Sequence, residues 1–463
     1  MRKPLANALD IDLRGGLTDK VTPHAGVALL IETARRSGVT AAAERALPAK
    51  HSPKGLRQGE MVEALVVLSA LGGDCLDDLD RLRRDQGLAA LTGYPLPAAA
   101  TARQWLDRFH DPATLADRPV QGSFIPADTP GLAGLRTAIA HSVQAYVTAV
   151  APDRTVTLDV DAHIVESSKR EALPTYTGDR GYQPLLVTWA ETGLVLADEF
   201  RDGNVPASVH IEELVDTAAA ALPPQAEGWA IRVRSDSAAY EQHVLDHWDG
   251  RGWTFAVSAD MSPQLRAAVV ALPEDAWHAW TEEGGGVVRE WAEVAYVPSR
   301  TAERKNQRPY RYVAIRVRQT QGRLFGDGTP VKHFAVVTND WQRDGRTVLE
   351  WQRGKAGTVE HVNRVLKDEL AAGVYPSGKF GANAAWLRLQ VLTLNLLELL
   401  KAAGLDPELR QARPKRLRFA VFTQFGRVVD HARLRIVRVA TAALRAVVDP
   451  ALGRLRRCPW PAT

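Results

Sequence analysis

The sequence predicts an α/β protein, a mixed sheet layered by helices, and three observations carry that prediction. Strand-like runs at 154–165, 183–190 and 194–200 lead into a helical run at about 208–222, a strand near 229–235, a helix from about Tyr240 and a strand near 253–258. Strands and helices interleaved in this way build one sheet covered by helices. Helical spacing of apolar residues also recurs over 25–110 and in AAWLRLQVLTLNLLELLKAAG. Finally, 463 residues with 45% hydrophobic content can bury substantial cores, so two to four structural units are expected.

In chain order, HAGVALLIETARRSG, RQGEMVEALVVLSALGG and CLDDLDRLRRDQGLAAL read as helices punctuated by Gly-Gly and Gly-Tyr-Pro, and ATARQWLDRFHD follows a Pro-rich turn. Short helices joined by tight turns suit a helix-turn-helix DNA reader, and any small helical bundle gives the same pattern. A loop at about 119–130 and a helix at about 131–150 precede the first strands. Residues 262–325 read as a β-rich insertion, Trp-rich, with three consecutive glycines at 284–286. In its YRYVAIRVR run, Val313, Ile315 and Val317 share one face while Tyr312, Arg316 and Arg318 share the other, a face suited to a phosphate backbone. The core texture resumes at HFAVVTND. The expected divisions are a helical N-terminal DNA-binding region (1–150), a core (151–261 and 326–404), the insertion (262–325) and a basic C-terminal region (405–463).

Charge points to the partner. The net charge is +4, but the segment from Asp406 to the end holds thirteen Lys/Arg against four Asp/Glu, and 300–323 holds eight Lys/Arg against Glu303. Two basic regions bracketing an acidic site suggest a polyanion, most simply nucleic acid. Cys75 and Cys458 are the two cysteines, which gives neither a disulfide framework nor a zinc-type spacing. No stretch of about 18 uncharged apolar residues occurs, and MRKPLANALDIDLRGG has no apolar signal core, so membrane insertion and secretion are not expected.

The candidate chemistry lies in acids. On TVTLDVDAHIVES, Thr155, Thr157, Asp159 and Asp161 share one strand face and Val156, Leu158 and Val160 the other. Asp236 closes the strand WAIRVRSDS, and a carboxylate at a strand's carboxyl end sits at a sheet's usual reactive edge. On GTVEHVNRVLKDEL, helical geometry groups Glu360, Arg364 and Lys367 opposite Val359, Val362, Val365, Leu366 and Leu370. Carboxylates 4 Å apart repel by roughly 4 kcal/mol at an effective dielectric near 20, a cost that divalent cations remove. Oxygen ligands favour magnesium or manganese, and a pair of such ions suits in-line displacement at phosphorus. His163 and His210 lie near core strands and are candidate ligands, with a structural, hydrogen-bonded role as the simpler alternative. There is no G-x4-GK-[ST] loop, HExxH or GxSxG motif.

These residues resemble the DDE transposases of bacterial insertion sequences. LDVDAH is similar to the family's first-aspartate strand, RSDSAAY to its second-aspartate segment, and GTVEHVNRVLKDEL to its glutamate helix with a lysine seven residues on. The similarity extends to GGDCLDDLDRLRRD and FGANAAWLRLQVLTLNLLELLK, covering most of 25–440, and the nearest group is the one named IS thirteen-eighty. The resemblance implies a ribonuclease-H-like core and metal ligation by Asp161, Asp236 and Glu360. On this resemblance Asp159 would assist, and Lys367 with Arg364 would position phosphate. Either aspartate of the first strand can be the principal ligand; Asp161 is preferred because the family's key aspartate precedes a small residue and a Thr-like position, held here by His163. The family's tyrosine and arginine before the glutamate are replaced by Arg353 and Ala356, with Trp351 and Lys355 nearby.

The further DNA contacts expected are Arg353, Lys355, Arg316, Arg318, Lys415, Arg416 and Arg418. The implied activity is two-metal (Mg2+ or Mn2+) cleavage at the element's terminal inverted repeats and joining of 3′-hydroxyls to target DNA. It would be carried out by a homodimer on double-stranded DNA, in the cytoplasm at the nucleoid. A non-catalytic DNA-binding descendant and a nuclease without strand transfer are the alternatives.

Overall fold

The structure, a computed structural model, describes residues 20–50, 52–119, 121–169, 171–283, 287–298, 309–319, 325–326, 328–431 and 434–461. The three glycines at 284–286 and much of the basic segment 300–323 lie outside the described residues. In chain order the strands are β1 (Val21–Thr22), β2 (Thr155–Ala162), β3 (Val165–Glu166), β4 (Leu173–Pro174), β5 (Arg180–Tyr182), β6 (Leu185–Trp189) and β7 (Leu194–Glu199). They continue with β8 (Ala230–Ser235), β9 (Thr254–Ser258), β10 (His278–Glu283), β11 (Val287–Val294), β12 (Arg311–Gln319), β13 (Val331–Thr338), β14 (Gly426–His431) and β15 (Leu434–Val439).

A nine-stranded mixed sheet runs in the order β10-β11-β12-β13-β9-β8-β2-β6-β7. Within it β2, β8 and β9 are mutually parallel neighbours, while β6 and β7 pair antiparallel on the far side of β2. This β7-β6-β2-β8-β9 order, with helices on both faces, is a ribonuclease-H-like arrangement. The residues read as an insertion supply β10–β12, which extend the same sheet through β13 rather than standing apart from it.

The period-two pattern of β2 explains its two coverings. Val156, Leu158 and Val160 are fully buried in a cluster that includes Val143 and Val147 of helix Pro130–Val150 and Leu214 and Val215 of helix Ile211–Ala220. The opposite, polar face lies under helix Gly345–Glu369. That helix starts where Asp344 Oδ1 accepts a hydrogen bond from the Thr347 amide at 3.0 Å, satisfying one of its free amides. Val359, Val362, Val365, Leu366 and Leu370 are all buried, so the expected packing stripe of the helix is the real one. Burying each such side chain contributes roughly 1.5–3 kcal/mol.

Helix Phe380–Ala403 is apolar on nearly every side because it is surrounded. One buried cluster joins it to helices Ala28–Arg36 and Gln58–Ala70, to the end of the Glu360 helix, and to Leu455 of helix Ala442–Arg457. The N-terminal helices therefore share their core with the elements that follow the sheet. Strands β14 and β15 form a hairpin that β1 extends to a three-stranded sheet. Among the described residues, no helix is long and apolar enough to cross a membrane.

Candidate catalytic acid cluster and nucleic-acid interface

Strand register builds the site. β2 and β8 are parallel, with Asp159 level with Arg234. Two residues further along each chain stand Asp161 and Asp236, so both carboxylates reach the same edge of the sheet. Asp236 is exposed and its Oδ1 accepts from the Ala238 amide at 3.1 Å, which fixes the turn that follows β8. Glu360 is exposed on the helix that covers β2, and Arg364 and Lys367 are exposed beside it.

Asp161 is the acid most enclosed by the site. Its Oδ1 accepts from Lys355 Nζ at 2.8 Å and its Oδ2 from Asn363 Nδ2 at 2.8 Å. Burial pushes its carboxyl above the ordinary range; Lys355 opposes that, whereas the charges of Asp236 and Glu360 add to it. The Asp161 carboxyl therefore feels the charges of the other two acids. As placed, the oxygens of the three acids do not all lie within 4.8 Å of one another. An all-oxygen donor set with two exposed members and one whose carboxyl is raised by burial and, less, by its acidic neighbours fits hard divalent cations.

Asp159 has a different role from the one expected. It is fully buried, and Arg234 grips it in a fork, Nε to Oδ1 at 2.6 Å and Nη2 to Oδ2 at 2.8 Å. The Thr358 hydroxyl also donates to Oδ2. Burial raises its carboxyl pKa, with Arg234 as the main opposing influence. The shared strand face did aim both aspartates at the Glu360 helix, where Asp159 meets Arg234 and Thr358 while Asp161 meets Lys355 and Asn363. Asp159 ties β2 to β8 and, because Arg234 also donates to the Trp351 carbonyl, to the helix above.

Several of the expected DNA contacts are committed elsewhere. Arg316 is buried, stacked over Trp277 at 4.4 Å and ion-paired to Glu274 at 2.7 Å and Glu290 at 2.8 Å. Arg318 pairs with Glu290 at 2.7 Å, and Tyr312 is buried, with its hydroxyl 2.9 Å from that of Tyr240. On that face of β12 the protein's own acids and aromatics thus engage Tyr312 and Arg316 fully, while Arg318 stays part-exposed beside Glu290. Arg418 turns inward and donates to the Ala70 and Ser69 carbonyls at 2.9 Å each and to the Glu369 carbonyl, joining three elements. Arg353 lies over the Trp280 ring at 5.0 Å, and Lys355 is held by Asp161. Lys415 and Arg416 are exposed, and the Lys415 amide donates to Glu369 at 2.8 Å, placing this basic stretch at the end of the Glu360 helix.

The histidines separate. His210 is exposed at a helix start with its Nδ1 3.3 Å from Glu199, away from the acids. Both ring nitrogens of His163 are buried without a hydrogen-bond partner, and burial, aided by the Lys367 charge, lowers its pKa to about 4. Neutral at physiological pH, it contributes no charge to the cleft. Sequence reasoning missed Arg234, Thr358 and Asn363. The signals were an arginine inside an apolar strand level with an aspartate, and two polar residues on the inner side of the Glu360 helix.

Comparison with known proteins supplies the family. A family described as "Transposase DDE domain group 1" matches residues 6–460, almost the whole chain. No curated protein matches. Among solved structures, one similar to this chain is described as the piggyBac transposase synaptic complex with hairpin DNA, at 12% sequence identity and a TM-score of 0.43, covering 85% of this chain and 78% of that one. The chain belongs to the DDE transposases, in the Transposase DDE domain group 1 family.

Proposed function

We propose that this transposase acts for a bacterial insertion sequence of the IS thirteen-eighty group. It would bind the terminal inverted repeats of its own element, cut the DNA at the element ends, and join the resulting 3′-hydroxyls to target DNA. The observation that carries the reading is that Asp161 and Asp236 each stand two residues beyond Asp159 and Arg234, the last paired residues of two adjacent parallel strands, with Glu360 on the helix packed over those strands.

Asp161, Asp236 and Glu360 would hold two divalent cations, magnesium or manganese. When bound, such ions supply Lewis-acid activation of a water or 3′-hydroxyl and stabilisation of the leaving oxygen. Lys367 and Arg364, exposed beside Glu360, would hold phosphate oxygens so that the scissile bond faces the acids. Lys415 and Arg416 extend this basic surface past the end of the same helix, and the N-terminal helices would read the element ends. Arg353, exposed on the same helix with its guanidinium over Trp280, would add a phosphate contact. The working form would be a homodimer holding two ends together, acting at the nucleoid.

The test uses a duplex carrying the inverted repeats that flank the reading frame, a supercoiled target plasmid and Mg2+. End-to-target joined products are expected. Cut ends that never join would identify a nuclease, and binding with no cutting would identify a DNA-binding descendant.

A further inference from the structure

Both oxygens of Asp161 carry donors from the helix that bears Glu360, Lys355 at 2.8 Å on one and Asn363 at 2.8 Å on the other. The two donors differ in kind. Asn363 is neutral and nearly buried, and its own Oδ1 has no hydrogen-bond partner among the described residues. Lys355 is a full positive charge in a confined place, its side chain 12% exposed and that of Asp161 17%. Its charge also bears on Asp159, though less than that of Arg234.

A divalent cation on Asp161 would approach an oxygen to about 2.0–2.1 Å, the usual distance for magnesium. That puts it within a few ångströms of the Lys355 ammonium, in a partly dry site where like charges repel strongly. Carboxylate and ammonium cannot keep their present contact without opposing the metal. A DNA phosphate entering the cleft offers Lys355 another anion, and lysine's flexible stem allows the exchange.

We propose that Lys355 is an exchangeable counter-ion of Asp161: divalent metal and the Lys355 ammonium compete for this carboxylate, and DNA phosphate draws Lys355 away, so metal and DNA bind cooperatively. The proposal rests on the metal and DNA reading above. By linkage, whatever factor DNA adds to metal affinity, metal adds to DNA affinity. The arrangement would keep the full-strength metal site for the DNA-bound protein.

The experiment measures Mn2+ affinity from the electron paramagnetic resonance signal of free Mn2+, with and without a saturating end duplex. Wild-type protein should bind Mn2+ about tenfold more tightly with DNA than without, within the usual range of coupling. Lys355→Met should bind Mn2+ about tenfold more tightly than wild type without DNA, and DNA should then add little. Lys355→Met binding no tighter than wild type overturns the proposal. Amine-reactive footprinting of wild-type protein, read by mass spectrometry, needs no variant: Mn2+ alone should raise the labelling of Lys355, and unchanged labelling overturns the proposal. Asp236→Ala separates the two levels. If it binds Mn2+ as wild type does, the metal reading fails; if it loses Mn2+ while Lys355→Met matches wild type, only the Lys355 proposal fails.

Discussion

Asp161→Asn should leave the protein folded and bound to its DNA but slow cutting about 10³-fold or more, roughly 4 kcal/mol of lost transition-state stabilisation. Asparagine keeps the size of the side chain and can still bond Asn363, so the packing under the Glu360 helix survives. What it loses is the charge that would hold a cation and that now attracts Lys355. Single-turnover nicking at matched DNA occupancy measures the effect. A fall in DNA affinity equal to the fall in rate would assign Asp161 to binding instead.

The second large effect is on stability. Arg234→Met leaves Asp159 fully buried without its bidentate partner, and breaking such a pair from one side costs about 3–5 kcal/mol. The Thr358 hydroxyl alone does not replace two charged hydrogen bonds. Removing both charges together, as Asp159→Leu with Arg234→Met, should recover much of the loss, because no buried charge is then left unpaired. Chemical denaturation of the two single variants and the double variant gives the coupling directly. Additive losses would mean that the pair does not anchor β2 to β8.

The sheet was legible because its strands carry two independent signals. Val156, Leu158 and Val160 alternate with polar residues, and turn residues close each strand, so β2, β6, β7, β8 and β9 fall close to where the pattern puts them. The Glu360 helix was legible for the same reason, since its buried stripe follows from spacing alone. What spacing could not reveal is which polar residues face one another. Asp159 and Asp161 point to one side, but whether each meets metal, arginine or lysine depends on the register between β2 and β8 and on the seat of the covering helix. Arg316 is not the open cation its strand position suggests for a related reason: Glu274 and Glu290, distant in sequence, fold back onto it, and Glu290 also pairs with the part-exposed Arg318. Arg418 sits among exposed cations in the sequence and is drawn inward by three carbonyls that only the packed helices bring together.

The most direct test of the acid cluster is cutting of end-containing DNA by wild type and Asp236→Ala, with Mg2+ and with the metal chelated, at equal DNA occupancy. Asp236 is exposed and, among the described residues, its hydrogen bonds are local to the turn after β8, so the variant should fold and bind as wild type does. The expected result is cutting by wild type in Mg2+ alone and none by Asp236→Ala under either condition. Normal cutting by Asp236→Ala, or wild-type cutting that survives chelation, would contradict a catalytic site formed by Asp161, Asp236 and Glu360.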